Sequence, residues 1–191
     1  VAAGKSGRAE RPRGQDSRDA RPEDARADQI VAPRKVLDAK AARLAAGDLL
    51  SRRAWTRAEL AARLRRRGAP ADVAAEVVDD LVARGYVDDA AFARQWIAAR
   101  AARGYGAARL RMELRARGIA APLISSALTT LADDDPLARA RDAARRRLPA
   151  LRRGRLERVA SRLRDYLLRR GFSTSVVVRV VRESTGVAAE E

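Results

Sequence analysis

Residues 59–68 read "ELAARLRRRG", a leucine pair four residues apart that closes on a run of arginine and a glycine. The same frame returns as "RLRMELRARG" at 109–118 and as "SRLRDYLLRRG" at 161–171. All three share Leu-x₃-Leu-x₃-Gly, carried by Leu60, Leu64 and Gly68, by Leu110, Leu114 and Gly118, and by Leu163, Leu167 and Gly171. The glycines are 50 and 53 residues apart. The match continues past each glycine at positions +5, +9 and +13. These are Val73, Val77 and Leu81, then Leu123, Ala127 and Leu131, then Val176, Val180 and Ser184. That spacing is the stripe of a second helix, with Ala127 and Ser184 degrading it in the later copies. One leucine-rich helix would explain one match, whereas three at near-constant offset argue for triplication of a unit near 50 residues.

Each unit reads as three helices built from Ala, Leu, Arg and Glu, all strong helix formers. The expected spans are 37–52, 56–67 and 70–84 in the first unit. They are 88–103, 106–117 and 121–132 in the second, and 136–149, 155–170 and 174–185 in the third. Thr56-x-x-Glu59 has the form of a capping box, in which each side chain satisfies the other's free backbone N–H. Gly68, Gly118 and Gly171 fit left-handed helix ends, and Pro70, Pro122 and Pro136 fit first turns. "SVVVRVV" (175–181) is read as helix because its valines form a helical stripe between Gly171 and Gly186. The fold class is therefore all-α: three tandem three-helix repeats in an elongated, curved, right-angled array. The units span 36–87, 88–133 and 134–186, the last being the most basic. Residues 1–35 mix Gly, Pro and both charges with almost no large apolar side chain, so a disordered charged tail is expected there. Residues 187–191 form a short second tail.

"RGYVDDAAFARQW" (84–96) poses the sharpest chemical question, since it sets Asp88 and Asp89 beside three of the chain's seven aromatic residues. Asp88 precedes a helical pattern and suits an N-cap, where a carboxylate accepts free N–H groups and favours the positive end of the helix dipole. Asp134-Asp135-Pro136 repeats the device. A catalytic or Mg²⁺ pair would need further carboxylates, and residues 90–112 contain none. Phe92 and Trp96 lie four apart and share a helix face, which places them in structural packing. Trp55 and Tyr105 each precede a repeat leucine by five residues and belong to the same framework.

The chain has no cysteine and no histidine, which removes disulfides, thiolate and imidazole metal sites and the Ser-His-Asp triad together. Only three lysines exist, Lys5, Lys35 and Lys40. No catalytic, cofactor or metal site is expected. No segment reaches the roughly 20 apolar residues a membrane helix needs, and a cytoplasmic location follows.

The net charge of +16 suits a polyanion or an acidic protein surface. It is uneven: +3 over residues 1–35, +4 over 36–135 and +9 over 136–191. Candidate contact residues at or near the helix ends are Arg65, Arg66 and Arg67, Arg103 and Arg109, Arg115 and Arg117, and Arg169 and Arg170. In the third unit they are Arg145, Arg146, Arg147, Arg152 and Arg153, with Arg155 close by. Basic residues at a helix C-terminus also compensate its dipole, which gives each cluster a structural reading as well.

Three stretches together resemble the RecX family of bacterial RecA regulators: "TRAELAARLRRRG", "RGYVDDAAFARQW" and "RGYGAARLRMELRARGI". "YLLRRGFSTSVVVRVV" extends the likeness, which covers about residues 40–185. The resemblance implies a curved row of three-helix units and a non-enzymatic modulator. Such a protein would bind the RecA–DNA filament and limit its extension, ATP hydrolysis, strand exchange and coprotease activity. A monomer is expected, and the basic third unit suits contact with single- or double-stranded DNA through phosphate. Two features depart from the family: the charged tail, and arginine where lysine is common, which keeps the charge and adds bidentate contacts. The alternative reading is a helical repeat protein that binds DNA independently of RecA.

Overall fold

The structure, a computed structural model, describes residues 36–131, 135–155 and 158–186. The expected tails at 1–35 and 187–191 and the cap at Asp134 lie outside these residues. Nine helices and no strand are found among the described residues. The first unit holds α1 (Ala39–Arg52), α2 (Arg57–Arg66) and α3 (Ala71–Ala83). The second holds α4 (Asp89–Ala101), α5 (Ala107–Ala116) and α6 (Ala121–Thr129). The third holds α7 (Pro136–Arg152), α8 (Val159–Arg169) and α9 (Thr174–Thr185).

The leucine frame builds each core. Leu60, Leu64, Leu110, Leu114, Leu163 and Leu167 are all fully buried. Truncating such a leucine to alanine costs about 2–5 kcal/mol. After each frame glycine the chain turns in the same way. The Gly68, Gly118 and Gly171 N–H groups bond back to Arg65, Arg115 and Leu168. The next residue's N–H reaches the second frame leucine: Ala69 to Leu64, Ile119 to Leu114 and Phe172 to Leu167. This paired ending needs a left-handed residue, and the three glycines have φ of 102°, 77° and 85°. It also buries the residue that follows each glycine.

The third helix of each unit is rotated from the expected stripe. Its most buried residues are Ala74, Val77 and Val78, then Ile124, Ala127 and Leu128, then Val177, Val180 and Val181. They stand at +6, +9 and +10 from the glycine, an i, i+3, i+4 pattern. The expected +5 position falls at the edge of each core. Helix α7 runs three residues beyond its expected end, through Pro149. Pro149 is exposed, and the extra turn buries Leu151 in the third core, which offsets the lost backbone bond. Helix α8 begins at Val159, later than expected, after a loop containing Gly154.

Extensive helix packing is confined to single units, and each unit owns a separate hydrophobic cluster. Neighbouring units meet through narrow seams.

Candidate polyanion interface

Both seams use one device. The N-terminus of a unit's second helix receives the C-terminal turn of the next unit's second helix. At the first seam the buried Thr56 hydroxyl donates to the Arg117 carbonyl at 2.7 Å and accepts from the Glu59 N–H at 3.1 Å. At the second, the Gly106 N–H donates to the Arg170 carbonyl at 2.7 Å and the Ala108 N–H to Gly171 at 3.2 Å. A helix N-terminus thus meets a helix C-terminal carbonyl at each seam, through a side-chain hydroxyl at the first and backbone amides at the second. Gly106 must lack a side chain, because a Cβ there would strike the Gly171 backbone.

The aspartate pair divides between neighbours. Asp88 caps its own helix by accepting the Ala91 N–H at 2.9 Å, whereas Asp89 accepts the Arg57 N–H of α2 at 2.9 Å across the seam. Asp135 repeats the cap on Leu137 at 2.8 Å. The Thr56 capping box is only half formed, because the Glu59 carboxylate is held by Arg117 at 2.5 Å and Arg53 at 3.4 Å.

The arginine preceding each frame glycine takes its role from its neighbours. Arg117 pairs with Glu59 and lies 3.9 Å over the Trp96 ring. Arg170 donates to the Arg103 and Gly104 carbonyls and sits 4.7 Å from the Tyr105 ring and 4.8 Å from the Tyr166 ring. Arg67 stays within its own unit, pairing with Asp48 at 3.6 Å and donating to the Ala45 carbonyl at 3.4 Å. Phe92 and Trp96 stack at 5.9 Å and pack at the margin of the second core, where Ala93 and Ile97 supply the buried face of α4.

Sequence reasoning missed Arg100 and Glu113. The Glu113 side chain is 13% exposed and accepts from Arg100, from Arg109 at 3.0 Å and from the Trp96 indole at 3.0 Å. Burial pushes its carboxyl up, but hydrogen bonds from Arg100, Arg109 and Trp96 outweigh that and hold it below the usual range. The hydrogen bond to Glu113 correspondingly raises Arg100. Arg100 also covers Tyr105 at 4.0 Å and Trp96 at 5.5 Å. Phe92, Trp96 and Arg100 recur every four residues, a stripe legible in the sequence.

The remaining candidates are exposed. Among the described residues Arg65, Arg66, Arg103 and Arg115 make no ion pair, Arg109 pairs with Glu113, and Arg145 pairs with Asp142. Arg152 donates to the Ser184 carbonyl at 3.4 Å, and Arg146 lines a cleft of about 390 Å³ where the second unit meets the third. Arg147 and Arg169 line a second cleft, of about 350 Å³, between α7 and α8, and Arg153 lies on the adjoining loop. Arg162 and Tyr166 complete that cleft and were not anticipated. Arg162, Tyr166 and Arg169 stand at i, i+4 and i+7 on α8, so their shared face was also readable.

No group of three or more acidic, histidine or cysteine side chains able to hold a metal exists among the described residues, and no described helix is long and apolar enough to cross a membrane. Three-helix repeats joined at such seams, with net positive charge highest in the third unit, define a tandem helical-repeat protein rich in exposed arginine. Family models for the first, second and third three-helix domains of RecX match residues 42–81, 88–128 and 133–181. "Regulatory protein RecX" of Mycolicibacterium smegmatis is 43% identical over 141 residues, covering 70% of this chain and 73% of that protein. Its namesake from Thermobifida fusca is 41% identical over 136 residues, covering 71% and 74%. The crystal structure of RecX from Lactobacillus salivarius superposes with a TM-score of 0.67 at 19% identity, over 78% of this chain and 97% of that one, a likeness of fold. The chain belongs to the RecX family.

Proposed function

We propose that this chain regulates the RecA recombinase by binding the RecA–DNA filament and limiting its extension, ATP hydrolysis, strand exchange and coprotease activity. The observation that carries the reading is family membership across all three units. A row of units offers a long contact surface in place of a deep pocket, which suits a filament. The chain acts as a cytoplasmic monomer without catalysis or cofactor. Exposed arginines of the first two units, Arg65, Arg66, Arg103 and Arg115, supply contacts to acidic protein surface.

The test is to add the protein to RecA assembled on single-stranded DNA and to follow ATP turnover and filament length. Slower turnover and shorter filaments are expected near stoichiometric addition. Unchanged turnover and length at excess would refute the reading. Tight, sequence-selective DNA binding in that case would point instead to a DNA-binding repeat protein that acts without RecA.

A further inference from the structure

Arginines without an acidic partner occur in all three units, and those of the third gather on α7, α8 and the loop between them, while Arg141, Arg145 and Arg179 are paired. In the first two units Arg43, Arg52, Arg57, Arg84, Arg100 and Arg117 are each tied to an acidic side chain. Around the α7–α8 cleft, Arg147, Arg153, Arg155, Arg158, Arg162 and Arg169 have no ion-pair partner among the described residues. Residues 145–170 contain eleven arginines against Glu157 and Asp165. Asp165 lies in the cleft and faces Arg164 at 3.8 Å.

The cleft is shaped for these cations. Gly154 leaves room for the Arg162 guanidinium, which would stand 2.8 Å from a Cβ at that position. Tyr166 forms part of the wall, with Arg147 at 5.6 Å and Arg170 at 4.8 Å from its ring centroid. The ring therefore steadies guanidinium groups and is not a free platform for a base. Arg162 and Arg169 are seven residues apart on α8, about 10 Å along the helix, and Arg147 faces them from α7.

We infer that this cleft is the nucleic-acid contact of the chain: Arg147, Arg162 and Arg169 hold the phosphodiester backbone without reading sequence. The inference rests on the filament reading only for its setting. Two observations favour phosphate over an acidic protein surface. Protein interfaces set arginine beside aromatic and apolar anchors, whereas nucleic-acid interfaces are strongly cationic throughout. Among the described residues the large apolar side chains left exposed are Val36, Leu44, Val82, Tyr86 and Met112 in the first two units and Leu168 in the third.

The experiment measures anisotropy of a fluorescein-labelled oligodeoxythymidylate with the full chain across a salt series. It is repeated with a mixed-sequence single strand and with a duplex. R147A/R162A/R169A is compared with R65A/R66A/R115A, which loses the same charge, and both are checked for helix content. Losing three phosphate contacts lowers the log–log salt slope on single strands by about 2, and affinity falls at least about tenfold at low salt. The control keeps the wild-type slope, the lysine triple R147K/R162K/R169K retains most of it, and the two single strands bind alike. Equal losses in both triples would reduce the site to bulk charge and overturn the inference. So would an unchanged slope in R147A/R162A/R169A with filament binding lost, which assigns these arginines to protein. RecA turnover with the wild-type chain is read alongside. No slowing with the slope effect present sinks the filament reading alone, and slowing with no slope effect sinks the phosphate site alone.

Discussion

Replacing Glu113 by glutamine removes the one acidic group that ties Arg100, Arg109 and Trp96 together. The glutamine carbonyl still accepts one hydrogen bond, but Arg100 loses its counter-charge while only 21% of its side chain reaches solvent. Unpairing a buried ion pair costs about 3–5 kcal/mol, and this exposure places the loss at the lower end, about 3 kcal/mol. In a chain of this size each kcal/mol moves the melting temperature by about 2–4 °C, so a fall of about 6–12 °C is expected. Urea unfolding followed by circular dichroism and by tryptophan fluorescence measures the free-energy loss, with an unchanged slope showing that only stability moved, and thermal melting measures the shift in temperature. E183Q is the control, since Glu183 bridges Arg141 and Arg179 on an exposed surface and should leave the midpoint in place. A midpoint for E113Q no lower than that for E183Q would refute the clamp.

The same carboxylate sets a pH dependence. Its folded value lies below the ordinary one, so its stabilisation is complete above about pH 4.3 and is lost as pH falls through the folded value. The gap between wild type and E113Q should therefore narrow on acidification from about pH 5 to pH 3, which urea midpoints would report. G85A meets open space and should cost only the about 1–2 kcal/mol of its left-handed backbone. G171A drives a methyl into the Arg109 backbone and should cost clearly more in the same titration. R117A should lower stability by removing the Glu59 pair and the Trp96 contact at the first seam while leaving the salt slope of DNA binding unchanged. That result would separate it from Arg147, Arg162 and Arg169.

The units were legible because their core is local. Leu110 and Leu114, with the glycine four residues on, state a buried face, a helix end and a left-handed turn within nine residues. The seams were not, because they join Thr56 to Arg117 and Gly106 to Arg170, pairs more than 60 residues apart that no periodicity connects. A separation of 32 residues likewise hid the second life of Asp89, which caps a helix in the preceding unit. Separation along the chain hid the split among the arginines too. Arg117 and Arg147 look equivalent as basic residues near helix ends, yet one is locked by Glu59 and Trp96 and the other is left to face solvent. The expected end of α7 at 149 fell short for a local reason: the burial of Leu151 carries the helix on past Pro149.

The most direct test of the regulatory reading is affinity. Labelled protein is titrated against RecA–DNA filaments and against the same single-stranded DNA without RecA, at physiological ionic strength. The account predicts that the filament binds at least about tenfold more tightly, a difference of about 1.4 kcal/mol, because protein contacts from the first two units add to the phosphate contact of the third. Equal or weaker binding to the filament would contradict it.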